Sequence, residues 1–127
     1  MKTGQIYKWE TDKIRGYEFR YKYHLYIGKD ASGRNVFLFV NTKNYYDEGF
    51  ELKNTDYPFF QKASSYIGCG TTVVSYSDSE IAHVSDNDLV GELKKKDVDD
   101  LAKHIGHSEV MTLRFIKFIV GKLRELN

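Results

Sequence analysis

Residues 20–41 read Arg-Tyr-Lys-Tyr-His-Leu-Tyr-Ile-Gly-Lys-Asp-Ala-Ser-Gly-Arg-Asn-Val-Phe-Leu-Phe-Val-Asn, and the predicted fold is built on the pattern of this stretch. Its first part alternates with the period of a β-strand, which places Arg20, Lys22, His24 and Tyr26 on one face and Tyr21, Tyr23, Leu25 and Ile27 on the other. Turn-forming residues fill positions 29–34. Residues 35–41 are apolar throughout their middle, as expected for a central strand covered on both faces. The stretch therefore predicts a β-hairpin.

Shorter strand patterns lie on both sides of this hairpin. Residues 5–9 alternate between apolar and polar side chains and predict a first strand. Residues 65–67, 71–76 and 89–93 predict three more. Residues 43–62 carry many turn-forming side chains around a few aromatic ones, so we expect a long irregular loop there, of the kind that is usually functional or mobile.

The end of the chain has helical periodicity. Apolar residues recur at i, i+3, i+4 and i+7 from Val98 to Ile105, and Gly106 is a stop signal. Ser108 is a candidate N-cap for a second helix over residues 109–126, which is apolar on more than one side, so either the barrel wraps much of it or one side meets a partner. We predict a single domain over residues 1–127, mainly β, with a strongly curved antiparallel sheet and two C-terminal helices.

The amino-acid composition and the distribution of charge exclude some classes of function and favour others. A net charge of +1 excludes a protein that binds nucleic acid through bulk charge. The charge is nevertheless uneven, because residues 1–46 carry nine Lys or Arg against four Asp or Glu, whereas residues 47–100 carry five against twelve. Such asymmetry marks a partner or polyanion site on the first segment, or arises by chance. Cys69 is the only cysteine, which favours a reducing compartment, so we expect a cytoplasmic protein without a membrane span.

The familiar signatures of cofactor and metal sites are missing. No glycine-rich phosphate loop precedes a helix, and no Cys or His pair has the spacing of zinc ligands. Gly106 interrupts the helix between His104 and His107. We therefore expect neither a cofactor nor a metal. Cys69 has no companion and is expected to be a small buried residue rather than a nucleophile.

One group of side chains on the predicted strand over residues 20–27 has the chemistry of a site that binds a polyanion. Arg20, Lys22 and His24 project from one face of the predicted strand at intervals of two, and Lys and Arg neutralise phosphates. The tyrosines beside the strand, and Tyr45, Tyr46 and Tyr57 in the long loop, could stack splayed bases. His24 titrates near neutrality and could shuttle a proton. The alternative is an ordinary half-exposed strand whose polar face is merely hydrated.

Several short segments, in order, resemble the MazF/PemK family of toxin-type endoribonucleases. They are Gly4–Trp9, Lys22–Ile27, Phe37–Thr42, Ser65–Cys69 and Gly91–Leu93. Two features depart from the family pattern. Lys22-Tyr23 stands where the family has Arg-Pro, and a second, longer C-terminal helix is added. Replacing a guanidinium by an ammonium loses bidentate phosphate recognition.

The resemblance implies an SH3-like barrel that cuts single-stranded RNA without a metal, the ribose 2′-OH attacking the adjacent phosphate. The implied catalytic roles fall on Lys22 and Thr42, with Arg20 as a second charge stabiliser and His24 as base or acid. We further predict RNA contacts from Arg15, Lys13, Ser65, Tyr45 and Tyr46. The implied partners are single-stranded RNA and a cognate antitoxin protein.

Two other classes of function stay open. One is a nucleic-acid-binding module on the same barrel without chemistry. The other is a protein-interaction domain, for example a homodimer formed through the exposed side of the helix predicted over residues 109–126.

Overall fold

A computed structural model describes residues 1–13, 19–44, 47–71 and 73–126 of the chain. In these ranges seven strands precede two helices. The strands are β1 (Gln5–Thr11), β2 (Arg20–Lys29), β3 (Asn35–Asn41), β4 (Phe50–Lys53), β5 (Ser64–Ile67), β6 (Val73–Tyr76) and β7 (Leu89–Glu92). The helices are α1 (Lys95–Gly106) and α2 (Leu113–Arg124).

The strands form one antiparallel sheet in the order β4-β5-β3-β2-β1-β7. β6 lies off this path and pairs with β3, along residues 35–38, while β5 pairs with the same strand at residues 40–41. One edge of β3 is thus shared by two strands, and the sheet curls into a half-barrel. The predicted class, mainly β with a curved antiparallel sheet and two C-terminal helices, is confirmed, as is the β2–β3 hairpin.

The sheet is buried on both faces along its centre. The face towards the helices contributes Ile6, Leu25, Val36, Leu38, Val40 and Ile67 to the larger core. The opposite face carries a second, aromatic cluster of Tyr7, Trp9, Tyr26, Phe37, Phe39, Val74 and Tyr76. Alternate residues of β3 enter the two clusters, which confirms that this strand is covered on both sides.

α1 packs on the larger core through the residues that its periodicity predicts. Val98, Leu101, Ala102 and Ile105 are buried. Its N-cap residue Lys94 makes no side-chain capping bond. Instead, the hydroxyl of Tyr57 accepts the backbone N–H of Lys94 at 2.9 Å and donates to the carboxylate of Asp97. A side chain from outside the helix thus satisfies one of its first N–H groups.

α2 begins four residues later than predicted. The hydroxyl of Ser108 does accept N–H groups, from Val110 and Met111, but it also donates to the carboxylate of Glu48, which accepts the N–H of Glu109 as well. These bonds fold residues 108–111 into a connection rather than a first helical turn, and the buried side chain of Met111 anchors it. None of the helices among the described residues is long and apolar enough to cross a membrane.

β4 lies inside the stretch predicted as an irregular loop. Phe50–Lys53 pairs with Ser64–Ile67 and buries only Leu52. Four residues with one buried side chain give too short a pattern to distinguish from a loop by sequence.

Candidate nucleic-acid interface

The hairpin of β1 and β2 extends beyond the rest of the sheet at one end. The two strands remain paired up to Thr11 and Arg20. Tyr23 pairs with Val40, so Asn41, the last residue of β3, lies opposite Lys22. β3 therefore has no residue opposite Tyr21 or Arg20. Residues 10–11 and 20–21 therefore form a two-stranded projection, which we call the hairpin arm.

Two large aromatic side chains on this arm face solvent. Phe19, which directly precedes β2, is 66% exposed, and Tyr21 is 67% exposed. Two residues of a strand separated by one position share a face, with their Cα atoms ~7 Å apart. Two exposed rings on one face form an apolar surface patch, and contiguous apolar patches mark interaction sites more often than isolated exposed residues do, so this pair is the first component of the candidate site.

A half-buried ammonium lies beside the arm. The Nζ atom of Lys22 is 5.8 Å from the centroid of the Phe39 ring. Among the described residues it has no carboxylate within 4.0 Å. Burial, together with the nearby charge of Arg20, lowers the pKa of Lys22 below its ordinary value. A cation that is partly desolvated and unpaired is stabilised when an anion approaches it.

His24, the predicted acid or base, lies inside the aromatic cluster and is fully buried. Its ring stacks on Trp9, Nδ1 lies 2.9 Å from the carbonyl oxygen of Lys22, and Nε2 lies 3.0 Å from the hydroxyl of Tyr76. Burial lowers the pKa of His24 to about 3, so the ring is neutral at pH 7. Both ring nitrogens are engaged and out of reach of solvent, so this geometry does not favour the predicted proton transfer.

The hydrogen bonds of His24 have a fixed direction. A carbonyl oxygen can only accept, so Nδ1 carries the proton and donates to Lys22. Nε2 then accepts from the hydroxyl of Tyr76, which in turn accepts from Thr11 at 2.8 Å. The chain ends at the backbone N–H of Lys13, which donates to Thr11 Oγ1 at 3.1 Å. The network is complete and serves the structure of the sheet.

The other predicted site residues do not converge on one place. Thr42 is exposed and lies one residue beyond β3, so Asn41 rather than Thr42 is level with Lys22. Ser65 is buried in β5, and its Oγ atom has no hydrogen-bond partner within the described part of the chain. The ammonium of Lys13 pairs with Glu80 at 3.3 Å. Arg20 is exposed and follows Phe19 directly.

Three predicted contacts, Arg15, Tyr45 and Tyr46, lie outside the described residues. Conversely, sequence reasoning did not single out Phe19 and Tyr21 as a pair. The usable signal was the alternation of ring and cation in Phe19-Arg20-Tyr21-Lys22. Over the ranges that the structure describes, no three His, Cys, Asp or Glu side chains come together as ligands for a metal ion.

Comparison with models of known protein families, with curated proteins and with solved structures found no match. The likeness to the MazF/PemK family therefore stays a prediction from short segments.

Proposed function

We propose that this chain binds single-stranded RNA at the hairpin arm. The observation that supports the proposal is the pair of exposed rings, Phe19 and Tyr21, on a strand whose other face carries the half-buried ammonium of Lys22, which has no carboxylate partner among the described residues. Proteins hold single strands by stacking bases on aromatic side chains while cations follow the backbone. The arm combines both kinds of group within four consecutive residues.

The two rings and the two cations have separate roles. Stacking is worth about 1–3 kcal/mol per base and tolerates any base, because every base has a π-face. Phe19 and Tyr21 would therefore hold successive bases without reading their identity. Arg20 and Lys22 project from the other face of β2, and their long side chains would reach the phosphates at the edge where β3 has ended. This role makes affinity depend on salt.

RNA cleavage is a second candidate, favoured by the lowered pKa of Lys22. A lysine whose pKa is lowered can accept a proton at neutral pH more readily than an ordinary one. In this proposal the ribose 2′-OH loses its proton to Lys22 and forms a bond to phosphorus. The bond from phosphorus to the 5′ oxygen breaks, and that oxygen takes a proton from water. The hydroxide formed in this way removes the proton from Lys22 and restores the neutral amine. Arg20 would stabilise the charge on the phosphate, and the chain would act as the toxin of a toxin–antitoxin pair.

The test uses labelled single-stranded RNA of mixed sequence in EDTA, with binding followed by fluorescence anisotropy and products by gel. We expect Phe19→Ala/Tyr21→Ala to weaken binding by about tenfold or more, because stacking of two bases is lost. Lys22→Ala should weaken binding and reduce the salt slope by about one phosphate contact. Lys62→Ala, an exposed lysine outside the arm, is the matched control.

The products decide between the two candidates. Intact RNA that is retained by the parent supports binding alone. Fragments that the parent makes and Lys22→Ala does not make support cleavage, and a further loss in Thr42→Ala would support the role implied by the resemblance. If the parent neither retains nor cuts RNA even at low salt, or if Lys62→Ala changes binding and cleavage as much as the arm variants do, both candidates fail.

A further inference from the structure

α2 turns a cationic face towards solvent. Arg114, Lys117, Gly121 and Arg124 are exposed and recur at i, i+3, i+7 and i+10, which places them along one side of the helix. The buried residues Ile119 and Leu123 lie on the opposite side. From residue 110 to residue 124 the sequence contains four Lys or Arg and no Asp or Glu.

The three outward cations lack counter-ions within the described part of the chain. No carboxylate lies within 4.0 Å of Arg114, Lys117 or Arg124 there. The remaining cation of the helix, Lys122, does have one, Glu125, at 3.9 Å. As far as the described residues show, the outward face of α2 therefore carries positive charge without paired carboxylates, which favours a negatively charged partner.

The packing of the fold does not require a glycine at position 121, in the middle of this face. A Cβ atom added at this position would meet nothing within 4 Å, and the residue is helical. A glycine in a helix interior costs about 0.5–1 kcal/mol relative to alanine. The fold would accept alanine, whereas a glycine lets another backbone approach closely.

Apolar surface adjoins the cationic face at the N-terminal end of the helix. Leu113 is 64% exposed, and Val110 in the preceding connection is 40% exposed. By contrast, Phe115 and Phe118 are partly buried and pack against the core. The outward surface of α2 therefore consists of three cationic side chains around Gly121, with an apolar patch of Val110 and Leu113 at its N-terminal end.

We propose that this face of α2 docks an acidic amphipathic helix of another protein. Carboxylates of the partner would lie opposite Arg114, Lys117 and Arg124, its backbone would approach at Gly121, and an apolar side chain would cover Leu113. This mode of recognition uses a helix laid against a complementary surface. The inference is independent of RNA binding at the hairpin arm.

Other occupants fit this surface less well. A second copy docked through the same face would bring like charges together, which is costly. A phosphodiester backbone offers no apolar group to cover Leu113. A membrane surface would need an apolar stripe to insert, but the apolar stripe of α2 faces the core, with Ile119 and Leu123 buried.

The test uses two labelled alanine-based helical peptides, one with glutamates along one side and leucines beside them, the other with lysines in place of the glutamates. We expect the parent to bind the acidic peptide in a salt-dependent manner and to ignore the basic one. Arg114→Glu/Lys117→Glu should lower the affinity about tenfold or more. Lys95→Glu/Lys103→Glu, the same charge change on exposed positions of α1, should leave it nearly unchanged.

Gly121→Ala separates docking from folding. We expect this variant to have a higher melting temperature, because alanine favours the helix, and a weaker affinity for the acidic peptide, because the added methyl group prevents close approach. Circular dichroism checks that every variant is folded. The proposal is overturned if the acidic peptide does not bind, if charge reversal on either helix weakens it equally, or if the α2 reversal instead abolishes binding of single-stranded RNA or phosphatidylserine vesicles.

Discussion

The imidazole of His24 lies flat against the indole of Trp9, with ring centroids 3.5 Å apart and planes inclined by 8°. This stack joins β1 to β2 on the face opposite the helices. A strand position with a titratable side chain is thus part of a buried aromatic cluster. The stability of the sheet is therefore linked to the protonation state of one ring.

We predict that stability falls as the pH drops below the ordinary pKa of histidine. The pKa of His24 is lowered to about 3 in the folded state, from 6.5. The unfolded chain binds the proton first, so this contribution is fully present above pH 6.5 and is lost between pH 6.5 and 3. Between pH 7 and 5 the loss is about 2 kcal/mol. Urea denaturation at a series of pH values measures it.

A loss of stability between pH 7 and 5 can be assigned to His24, because the contribution of a carboxylate such as Glu80 is lost at lower pH. The pKa of Glu80 is lowered to about 2, mainly by the backbone N–H of Ser77, so its contribution is lost only below about pH 4.5. His24→Gln should flatten the slope between pH 7 and 5. An NMR titration in which His24 of the native protein gains a proton near pH 6.5 would contradict the prediction without need of a variant.

Removing the hydroxyl of Tyr76 should raise the pKa of His24. The hydroxyl donates to the neutral ring, so its loss disfavours the neutral form. Tyr76→Phe also leaves Thr11 without its acceptor, and we expect a loss of about 1–3 kcal/mol in the free energy of unfolding. Chemical-shift titration of His24 in the variant checks the first effect. An unchanged pKa would mean that the hydroxyl does not act on the ring.

Tyr57→Phe should destabilise α1 at its start. The hydroxyl caps the N–H of Lys94 and binds Asp97, and both bonds are partly buried. We expect a loss of about 1–2 kcal/mol, with faster hydrogen exchange at Lys94. Tyr66→Phe is the matched control, because the hydroxyl of Tyr66 has no hydrogen-bond partner among the described residues. Equal losses in both variants would rule out the capping role.

Ser65→Ala should leave the protein as stable as the parent or make it more stable. The buried Oγ has no partner in the described part of the chain, and an unsatisfied buried hydroxyl costs about 1–3 kcal/mol. Ser64→Ala, which removes an exposed bond to Glu51, is the comparison. Thermal melts give the stability, and the RNA assay gives the affinity. A stable Ser65→Ala variant with lower RNA affinity would restore Ser65 to the predicted contact set.

The sequence predicted the parts of the fold whose pattern is long. Alternation in residues 20–27 assigned His24 and Leu25 to opposite faces, and the structure places them in different clusters. Alternation states which residues share a face, but not whether that face is covered. Ile81, Val84 and Leu89, from residues 77–89, pack against the aromatic cluster. No local sequence pattern predicts these contacts.

The candidate site was harder to predict, because it depends on where one strand ends. Phe19 and Tyr21 are exposed since β3 stops at Asn41, and no other strand among the described residues pairs with the arm beyond that point. Similarly, Ser108 resembles an N-cap in sequence, but the contact that decides its role comes from Glu48, sixty positions away. Local propensity carries no information on such long-range contacts.

The pairing of both β5 and β6 with one edge of β3 affects which parts of the sheet can unfold locally. β3 is bonded to β2 along one side and to both β5 and β6 along the other, so fraying of either short strand still leaves the rest of it paired. Local openings with low free energies are confined to segments with few such bonds. We therefore expect amides at the centre of β3 to exchange with solvent only when the whole domain unfolds, so their exchange rates would report the global free energy of unfolding.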